Sequence, residues 1–299
     1  MLRKSTWLHL RIPFSFFLLP IFLFAQSVSP NIIQDNFLLV LIILHIFLYP
    51  ASNGYNSYFD KDEESIGGLK HPPKVTKGLY YTALLFDLVA LGLGLLIGWQ
   101  FTIMLLIYGL VSKAYSHPMV RLKKYPFASW FVAGFFQGFF TFIMAFIALN
   151  NYDLERVFKP HILIPALLSS LFLWGSYPMT QVYQHGEDSR RGDKTLSILL
   201  GIKGTFYFTV IMFTLTSVGF VWYFWEYHKM GYAIDFLLFL VPVVLFFSFW
   251  FLQVIKNPAK ADYAHAMWLN SISSLCMSAF FIYFFLNSTQ LIQAIQGGF

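Results

Sequence analysis

Two stretches of the chain place carboxylate and amide side chains four residues apart, each at the end of an apolar run. The first contains Asn56, Asp60 and Glu64, and the second contains Gln184 and Asp188. Residues four apart lie on one face of an α-helix. Such oxygen-bearing groups at the end of an apolar helix are costly unless they bind a cation or a phosphate. The spacing predicts a metal and diphosphate site where two helix ends converge, with Asp60 and Asp188 at its centre.

The loop after the first motif adds positive charge to these carboxylates. A Gly67-Gly68 break leads into a basic, proline-stiffened segment that contains Lys70 and Lys74. Diphosphate oxygens that a magnesium ion leaves uncovered need ammonium or guanidinium partners. The alternative interpretation of this loop alone is a solvated charge cluster on a cytoplasmic surface.

Composition places the chain in the membrane. Hydrophobic residues form 58% and charged residues 11% of the 299 residues, and mean hydropathy is +0.63, whereas a soluble domain carries about 25% charged residues. We predict an all-α, polytopic membrane protein with nine helices in one bundle over residues 1–299, because apolar stretches of roughly 20 residues recur throughout. The predicted spans are 13–30, 36–58, 79–98, 100–117, 127–149, 161–184, 203–225, 234–255 and 268–288.

The distribution of Lys and Arg predicts a cytoplasmic N-terminus. In that orientation all but Arg156, Lys159 and Lys229 of the 20 basic residues are cytoplasmic, as expected for inserted proteins. The formal charge of +6 then reflects topology and contact with anionic membrane lipids, and nucleic-acid binding is not expected. The first apolar run could instead be a signal peptide cleaved near Ala25, but Arg11 and the later spans favour an uncleaved helix.

Three ordered stretches resemble motifs of the UbiA superfamily of intramembrane prenyltransferases, and the likeness covers essentially the whole chain. The first is Asn56, Asp60 and Glu64 with the following Lys70-His71-Pro72, where Glu64 replaces an aspartate and His71 an arginine. The second is Gln184 and Asp188 with Gly192-Asp193-Lys194-Thr195, where Gln184 replaces an aspartate. The third, Tyr115 to Lys123, resembles a loop found after the fourth helix.

The resemblance implies roles for these residues. Family members hold magnesium on a prenyl diphosphate through the two acidic motifs. The implied magnesium ligands, direct or through water, are Asn56, Asp60, Glu64, Gln184 and Asp188. The implied contacts to the prenyl diphosphate substrate are Lys70, Lys113, Tyr115, Ser116, Arg121, Lys123 and Lys194. Because Gln184 brings no charge, His185 or Glu187 could compensate, although Glu187 would point elsewhere on a regular helix.

The resemblance further implies a Mg-dependent transfer of a prenyl group to a lipophilic acceptor that the sequence does not identify. The alternative is a diverged, non-catalytic protein that binds an isoprenoid or a membrane partner, since Gln184 lacks the family's carboxylate. A secondary transporter is a third hypothesis, but no inverted repeat stands out. We expect the bacterial cytoplasmic membrane as the location. Within the predicted third span, Asp87 is expected to be a protonated, hydrogen-bonded core residue, and the alternative is that it faces the cavity.

Overall fold

The computed structural model describes residues 3–289, which are helical apart from loops and one isolated antiparallel bridge between Ile66 and Leu69. The helices are α1 (Lys4–Leu10), α2 (Ile12–Ser15), α3 (Leu19–Ser27), α4 (Gln34–Ile42), α5 (Tyr49–Asp60), α6 (Lys77–Gly94), α7 (Trp99–Ser116), α8 (Pro126–Gly134), α9 (Thr141–Asn150), α10 (Pro160–Ser176), α11 (His185–Arg191), α12 (Leu196–Tyr227), α13 (Met230–Lys256) and α14 (Tyr263–Ser288). The predicted all-α fold class is confirmed.

Seven helical segments of the described chain are long and apolar enough to cross a membrane. They are Lys4–Ser27, Gln34–Asp60, Pro126–Asn150, Pro160–Thr180, Leu196–Tyr227, Met230–Lys256 and Tyr263–Ser288. Helices α6 and α7 coincide with the predicted third and fourth spans but are not among these seven. Both expose apolar side chains, with Leu88 and Leu110 at 65% and 61%. The total of nine spans and the N-terminal orientation remain predictions.

The first apolar segment belongs to the folded core. Phe22 and Phe24 on α3 are buried, and the ring of Phe24 stacks on Phe281 of α14 at a centroid distance of 4.4 Å. Helix α3 also packs against α9. A segment that supplies core aromatics acts as a structural helix, which agrees with the interpretation of this run as uncleaved.

Two helix ends set the geometry of the site. Helix α5 ends at Asp60, because Lys61 adopts a left-handed conformation with φ 52°. Helix α10 ends at Ser176 and continues as a 3₁₀ turn, Tyr177–Thr180, before the short α11 begins at His185. The predicted continuous helix over 161–184 is therefore wrong at its end, where Pro178 and the turn interrupt it.

Helices α8 and α9 form one rod with a π-helical turn at Phe135–Phe140. The turn lies against α10 at very close range, since a methyl group added to Gly138 would be 2.6 Å from the Ser170 backbone. The Ser170 hydroxyl donates to the Gly134 carbonyl at 2.9 Å and accepts from the Phe139 N–H at 2.8 Å. Gly134 and Gly138 therefore allow a close contact between these helices.

Candidate metal and diphosphate site

A cavity of about 260 Å³ opens where α5 and α7 end and α11 begins. Four carboxylates and two cations line its polar end, and its other end runs between α7 and α8 toward Tyr108 and Phe136. The acidic residues are Asp60, Asp62, Asp188 and Asp193, and the cations are Arg11 and Lys123. The two motif stretches therefore meet at a single cavity, as their sequence pattern predicts.

The first motif presents Asn56 and Asp60 on one face of α5. The Asn56 Nδ2 donates to Asp60 Oδ2 at 2.7 Å and to Ser116 Oγ of α7 at 2.8 Å. With both amide hydrogens used, the carbonyl oxygen of Asn56 is the group able to bind a cation. Ser116 thus helps to orient a metal-binding amide, which refines its predicted role as a substrate contact.

The loop after α7 brings two cations to the carboxylates. Lys123 Nζ lies 2.6 Å from Asp60 Oδ1 and 3.3 Å from Asp193 Oδ2. Arg121 donates from Nε and Nη2 to the two oxygens of Asp193 at 2.9 and 2.8 Å. Burial alone would raise the pKa of Asp193, but hydrogen bonds and charge from Arg121 and Lys123 hold it below its ordinary value.

The second motif supplies Gln184 and Asp188 to the same cavity. Gln184 is the N-cap residue of α11, and its Nε2 donates to the Ser65 carbonyl at 3.3 Å. Burial raises the pKa of Asp188 to about 7. The Lys123 ammonium opposes this shift, whereas the neighbouring carboxylates add to it. Asp188 therefore lies in a buried part of the cavity next to other carboxylates.

Glu187 faces away from Asp188 and fastens the first loop to α11. Its carboxylate accepts from the backbone N–H groups of Glu63 and Glu64 at 2.8 and 3.1 Å. Arg191 donates to Glu187 at 2.6 Å and to Asp62 at 2.5 Å. This confirms that Glu187 points elsewhere than Asp188, and it shows a structural function for the side chain.

The structure does not bring Glu64 or His185 to the cavity. Because α5 ends at Asp60, Glu64 is not on the helical face that the four-residue spacing predicts, and its carboxylate pairs with Arg190 at the surface. His185 does not pair with Gln181, which lies four residues earlier. The His185 Nε2 lies 2.7 Å from Ser197 Oγ instead, so His185 does not compensate for Gln184.

The remaining predicted substrate contacts divide into two groups. Tyr115 lines the cavity, with its hydroxyl hydrogen-bonded to that of Tyr177. Lys70 lies at a separate surface depression beside Glu63, and Lys194 is exposed.

Lys113 lies outside the cavity lining and pairs with Asp87. The protonation of Asp87 stays a prediction, and the structure places its carboxyl group beside the Lys113 ammonium.

Three charged residues of the cavity are absent from the predicted site residues. The sequence indicates only a topological role for Arg11. The residue is 8% exposed, and its guanidinium donates to the Gly67 and Asn53 carbonyls at 3.1 and 3.2 Å. Asp62 lies between Asp60 and Glu64 of the first motif, and Asp193 lies in the segment after Asp188 of the second motif. Several charged residues stand close together in both segments of the sequence, which could have indicated a site. Only the folded loops show which of the carboxylates face the cavity.

The oxygen ligands at the cavity fit a magnesium ion whose remaining coordination positions are filled by substrate phosphates. In the described range 3–289, no three His, Cys, Asp or Glu side chains are close enough to hold an ion by themselves. Magnesium is commonly bound through one or two carboxylates, with phosphates and water filling the other positions. The oxygens of Asn56, Asp60, Gln184 and Asp188, together with the raised pKa of Asp188, match that pattern.

Comparison with protein families matches residues 14–272 to the UbiA prenyltransferase family. The chain belongs to the UbiA prenyltransferase family. A comparison with curated protein sequences returns no match.

Solved structures show that the UbiA fold extends over nearly the whole chain. An apo UbiA homolog from Aeropyrum pernix K1 is similar with a TM-score of 0.68 at 15% identity, covering 95% of this chain and 99% of that one. A UbiA homolog from Archaeoglobus fulgidus bound to GPP and Mg²⁺ gives a TM-score of 0.66 at 16% identity, covering 94% and 99%. A digeranylgeranylglyceryl phosphate synthase gives 0.60 at 20% identity, covering 94% and 98%.

Membership in the UbiA family agrees with the chain's apolar helices, and the protein is an integral, multi-pass membrane protein.

Proposed function

We propose that this protein transfers a prenyl group from a prenyl diphosphate to a lipophilic acceptor within the membrane, in a Mg²⁺-dependent reaction. The observation that carries the proposal is the meeting of Asn56, Asp60, Gln184 and Asp188 at one cavity with Lys123. The Archaeoglobus homolog that binds GPP and Mg²⁺ supports it. The cytoplasmic end of the bundle in a bacterial inner membrane is the proposed location.

The chain's residues can hold both charges of a metal diphosphate. Asp60 and Asp188 would bind Mg²⁺, with the carbonyl oxygens of Asn56 and Gln184 as further ligands. Lys123 and Arg121 would turn from Asp60 and Asp193 toward phosphate oxygens, since an ammonium or guanidinium group binds phosphate as well as carboxylate. When bound, Mg²⁺ would neutralise diphosphate oxygens and make the group a better leaving group.

The reaction itself is a substitution at the prenyl C1 atom. The C1–O bond breaks and its electron pair leaves with the diphosphate, where Lys123 and Arg11 would stabilise the released charge. The allylic cation would lie beside the rings of Tyr115 and Tyr177, which line the cavity. Aromatic faces stabilise a cation without reacting with it. The acceptor then forms a bond to the cation and loses a proton.

A mass-spectrometric product screen with geranylgeranyl diphosphate and lipophilic acceptors tests this proposal. Prenylated product should form with the wild type and be lost when Asp60→Ala and Asp188→Ala are combined. Transfer that survives this double substitution would show that the chemistry occurs elsewhere. A Lys124→Ala variant serves as a control, because Lys124 lies over the Tyr125 ring rather than in the cavity.

A non-catalytic isoprenoid-binding protein is the second candidate. It is favoured by the amide at Gln184, whose Nε2 is engaged with the Ser65 carbonyl. The Gln184→Asp variant separates the two functions. An enzyme should change its magnesium dependence when the second carboxylate is added, whereas a binding protein should gain no turnover.

A further inference from the structure

The membrane-facing end of the cavity carries neutral polar groups that a prenyl chain does not need. Gln137, Ser112 and Tyr108 line it, among the apolar side chains of Val111, Val132, Ala133 and Phe136. A prenyl tail is a hydrocarbon, so an amide or hydroxyl along its path only adds a desolvation cost. Polar side chains that face a cavity within a membrane bundle generally bind something polar.

Tyr108 and Gln137 lie well below the carboxylates along the helix axes, whereas Ser112 lies one helical turn from Ser116. Tyr108 precedes Ser116 by eight residues on α7, which is about 12 Å at 1.5 Å per residue. Gln137 follows Pro126 by eleven residues, or about 16 Å. The rings of Tyr108 and Phe136 are 6.4 Å apart, which joins the two helices at this depth. Tyr108 and Gln137 therefore belong to a region of the cavity distinct from the metal and diphosphate site, and Ser112 connects the two regions.

Gln137 lines the cavity from a distorted segment of backbone. The residue lies inside the π-helical turn Phe135–Phe140, a rare distortion that is frequent at functional sites. Ser170 on α10 holds the turn through hydrogen bonds to Gly134 and Phe139, and the Thr141 hydroxyl donates to the Phe136 carbonyl at 2.8 Å. Within residues 3–289, the Gln137 amide itself takes no partner in this network and is half-buried at the cavity.

Charge distribution defines what this region can bind. The cations that line the cavity, Arg11 and Lys123, belong to its polar end, whereas the groups around Gln137 are neutral. A carboxylate or phosphate placed there would be desolvated with no opposite charge beside it, which is costly. A hydroxyl or carbonyl would instead exchange hydrogen bonds with an amide and two hydroxyls.

We propose that Gln137, with Ser112 and Tyr108, forms the subsite for the acceptor and selects an uncharged head group that carries a hydroxyl or carbonyl. This inference rests on the proposed prenyl transfer for its meaning, but the subsite can be measured without turnover. Gln137 acts as a specificity-determining residue that donates from its amide nitrogen or accepts at its carbonyl oxygen. The apolar walls bind the ring or chain of the same molecule.

Two probes that share one ring system test the subsite directly. The melting temperature of the full-length, detergent-purified protein is titrated with 1-naphthol, which is neutral at pH 7.5, and with 1-naphthoate, which is anionic. We expect 1-naphthol to stabilise the wild type and to bind at least tenfold more tightly than 1-naphthoate. Equal or tighter binding of 1-naphthoate would overturn the proposal without any variant.

Gln137→Met keeps the side-chain length and removes the amide, so 1-naphthol affinity should fall about tenfold. Gln253→Met is the matched control, because Gln253 lies on α13 outside the cavity lining. Unchanged 1-naphthol affinity in Gln137→Met would contradict the assignment of Gln137.

Mg²⁺-dependent binding of geranylgeranyl diphosphate is measured in the same samples and should survive Gln137→Met. If the wild type fails to bind geranylgeranyl diphosphate, the proposed function fails, while the naphthol arms still decide the subsite.

Discussion

At the scale of single residues, the site is a balance of buried charges. Lys123 is 9% exposed and touches both Asp60 and Asp193, so each carboxylate depends on it. Asp188 has the pKa of about 7 that burial among other carboxylates produces. The carboxylates that raise one another's pKa are those that a magnesium diphosphate would engage.

Removal of Lys123 should therefore be costly in a way that magnesium repairs. We expect Lys123→Met to lower the free energy of unfolding by about 3 kcal/mol, because it leaves buried carboxylates uncompensated. Added Mg²⁺ should recover more stability in this variant than in the wild type, since the ion replaces the lost positive charge. Chemical denaturation with and without Mg²⁺ measures both effects.

The neighbouring Lys124→Met variant is the control for Lys123→Met, because the Lys124 ammonium contacts the exposed Tyr125 ring. It should melt like the wild type. A Lys123→Met protein of wild-type stability would show that the buried ion pairs do not govern the site.

The pKa of Asp188 makes a pH prediction with a definite sign. Its pKa is raised in the folded state, so between about pH 4 and 7 the native protein binds more protons than the unfolded chain, and stability without Mg²⁺ falls as pH rises. Magnesium requires the ionised carboxylate, so the stabilisation by Mg²⁺ should grow from pH 6 to pH 8. Melting curves of wild type and Asp188→Asn test this, and an identical pH dependence in both would contradict it.

At the scale of elements, two short connections determine which motif residues reach the cavity. The left-handed Lys61 ends α5 and turns Glu64 outward, and the 3₁₀ turn after α10 separates Gln181 from the helix that carries Asp188. Glu187 then joins the two motif loops through the Glu63 and Glu64 N–H groups. The site is held by this clamp rather than by two uninterrupted helices.

Loss of the clamp should release the first loop. Glu187→Ala leaves two backbone N–H groups without their acceptor and removes one of the two carboxylates that Arg191 contacts. We therefore expect a loss of about 3 kcal/mol in stability and weaker diphosphate binding. Faster hydrogen exchange of residues 61–66 would show that the loop has opened.

Glu64→Ala tests whether the Glu64 side chain binds magnesium, as the family motif implies, or only pairs with Arg190 at the surface. The structure predicts unchanged melting and unchanged Mg²⁺ dependence, because Glu64 pairs with Arg190 at the surface. A loss of Mg²⁺-dependent binding would instead restore the role that the motif pattern predicts for Glu64.

The close crossing of α8–α9 with α10 depends on Gly138. Gly138→Ala places a methyl group 2.6 Å from the Ser170 backbone, so the helices must separate and stability should fall by about 2 kcal/mol. Gly92→Ala on α6 is the matched control, since a methyl group there meets nothing within 4 Å. A Gly138→Ala protein that melts like Gly92→Ala would show that the crossing tolerates a wider spacing.

At the scale of the whole molecule, most of the fold could be predicted from the composition of the sequence and the spacing of its apolar runs. Long apolar runs predict the helices, and ordered motifs indicate the family, because both depend on residue type along the chain. The inward turn of Asp62 and Asp193, the burial of Arg11 and the outward turn of Glu64 depend on loop conformation and tertiary contacts. Those contacts join residues more than 40 positions apart, which local spacing does not encode.

The predicted topology is testable because the chain has one cysteine, Cys276. In a Cys276→Ser background, Lys74→Cys should react with a membrane-impermeant maleimide only from the cytoplasmic side. Leu96 lies in the turn between α6 and α7 and is 73% exposed. Leu96→Cys should react only from the opposite side if both helices cross the membrane. Reaction of both cysteines from the same side would reduce the count of nine spans.

The central claim is that Asn56, Asp60, Gln184 and Asp188 hold a prenyl diphosphate through magnesium. The most direct test is the melting temperature of the purified protein with geranylgeranyl diphosphate, with and without Mg²⁺, in wild type and in the combined Asp60→Ala and Asp188→Ala variant. A ligand at a hundredfold excess over its Kd stabilises by about 2.7 kcal/mol. We predict a Mg²⁺-dependent rise in the wild type that the variant loses. No rise in the wild type, or an equal rise in both proteins, would contradict the claim.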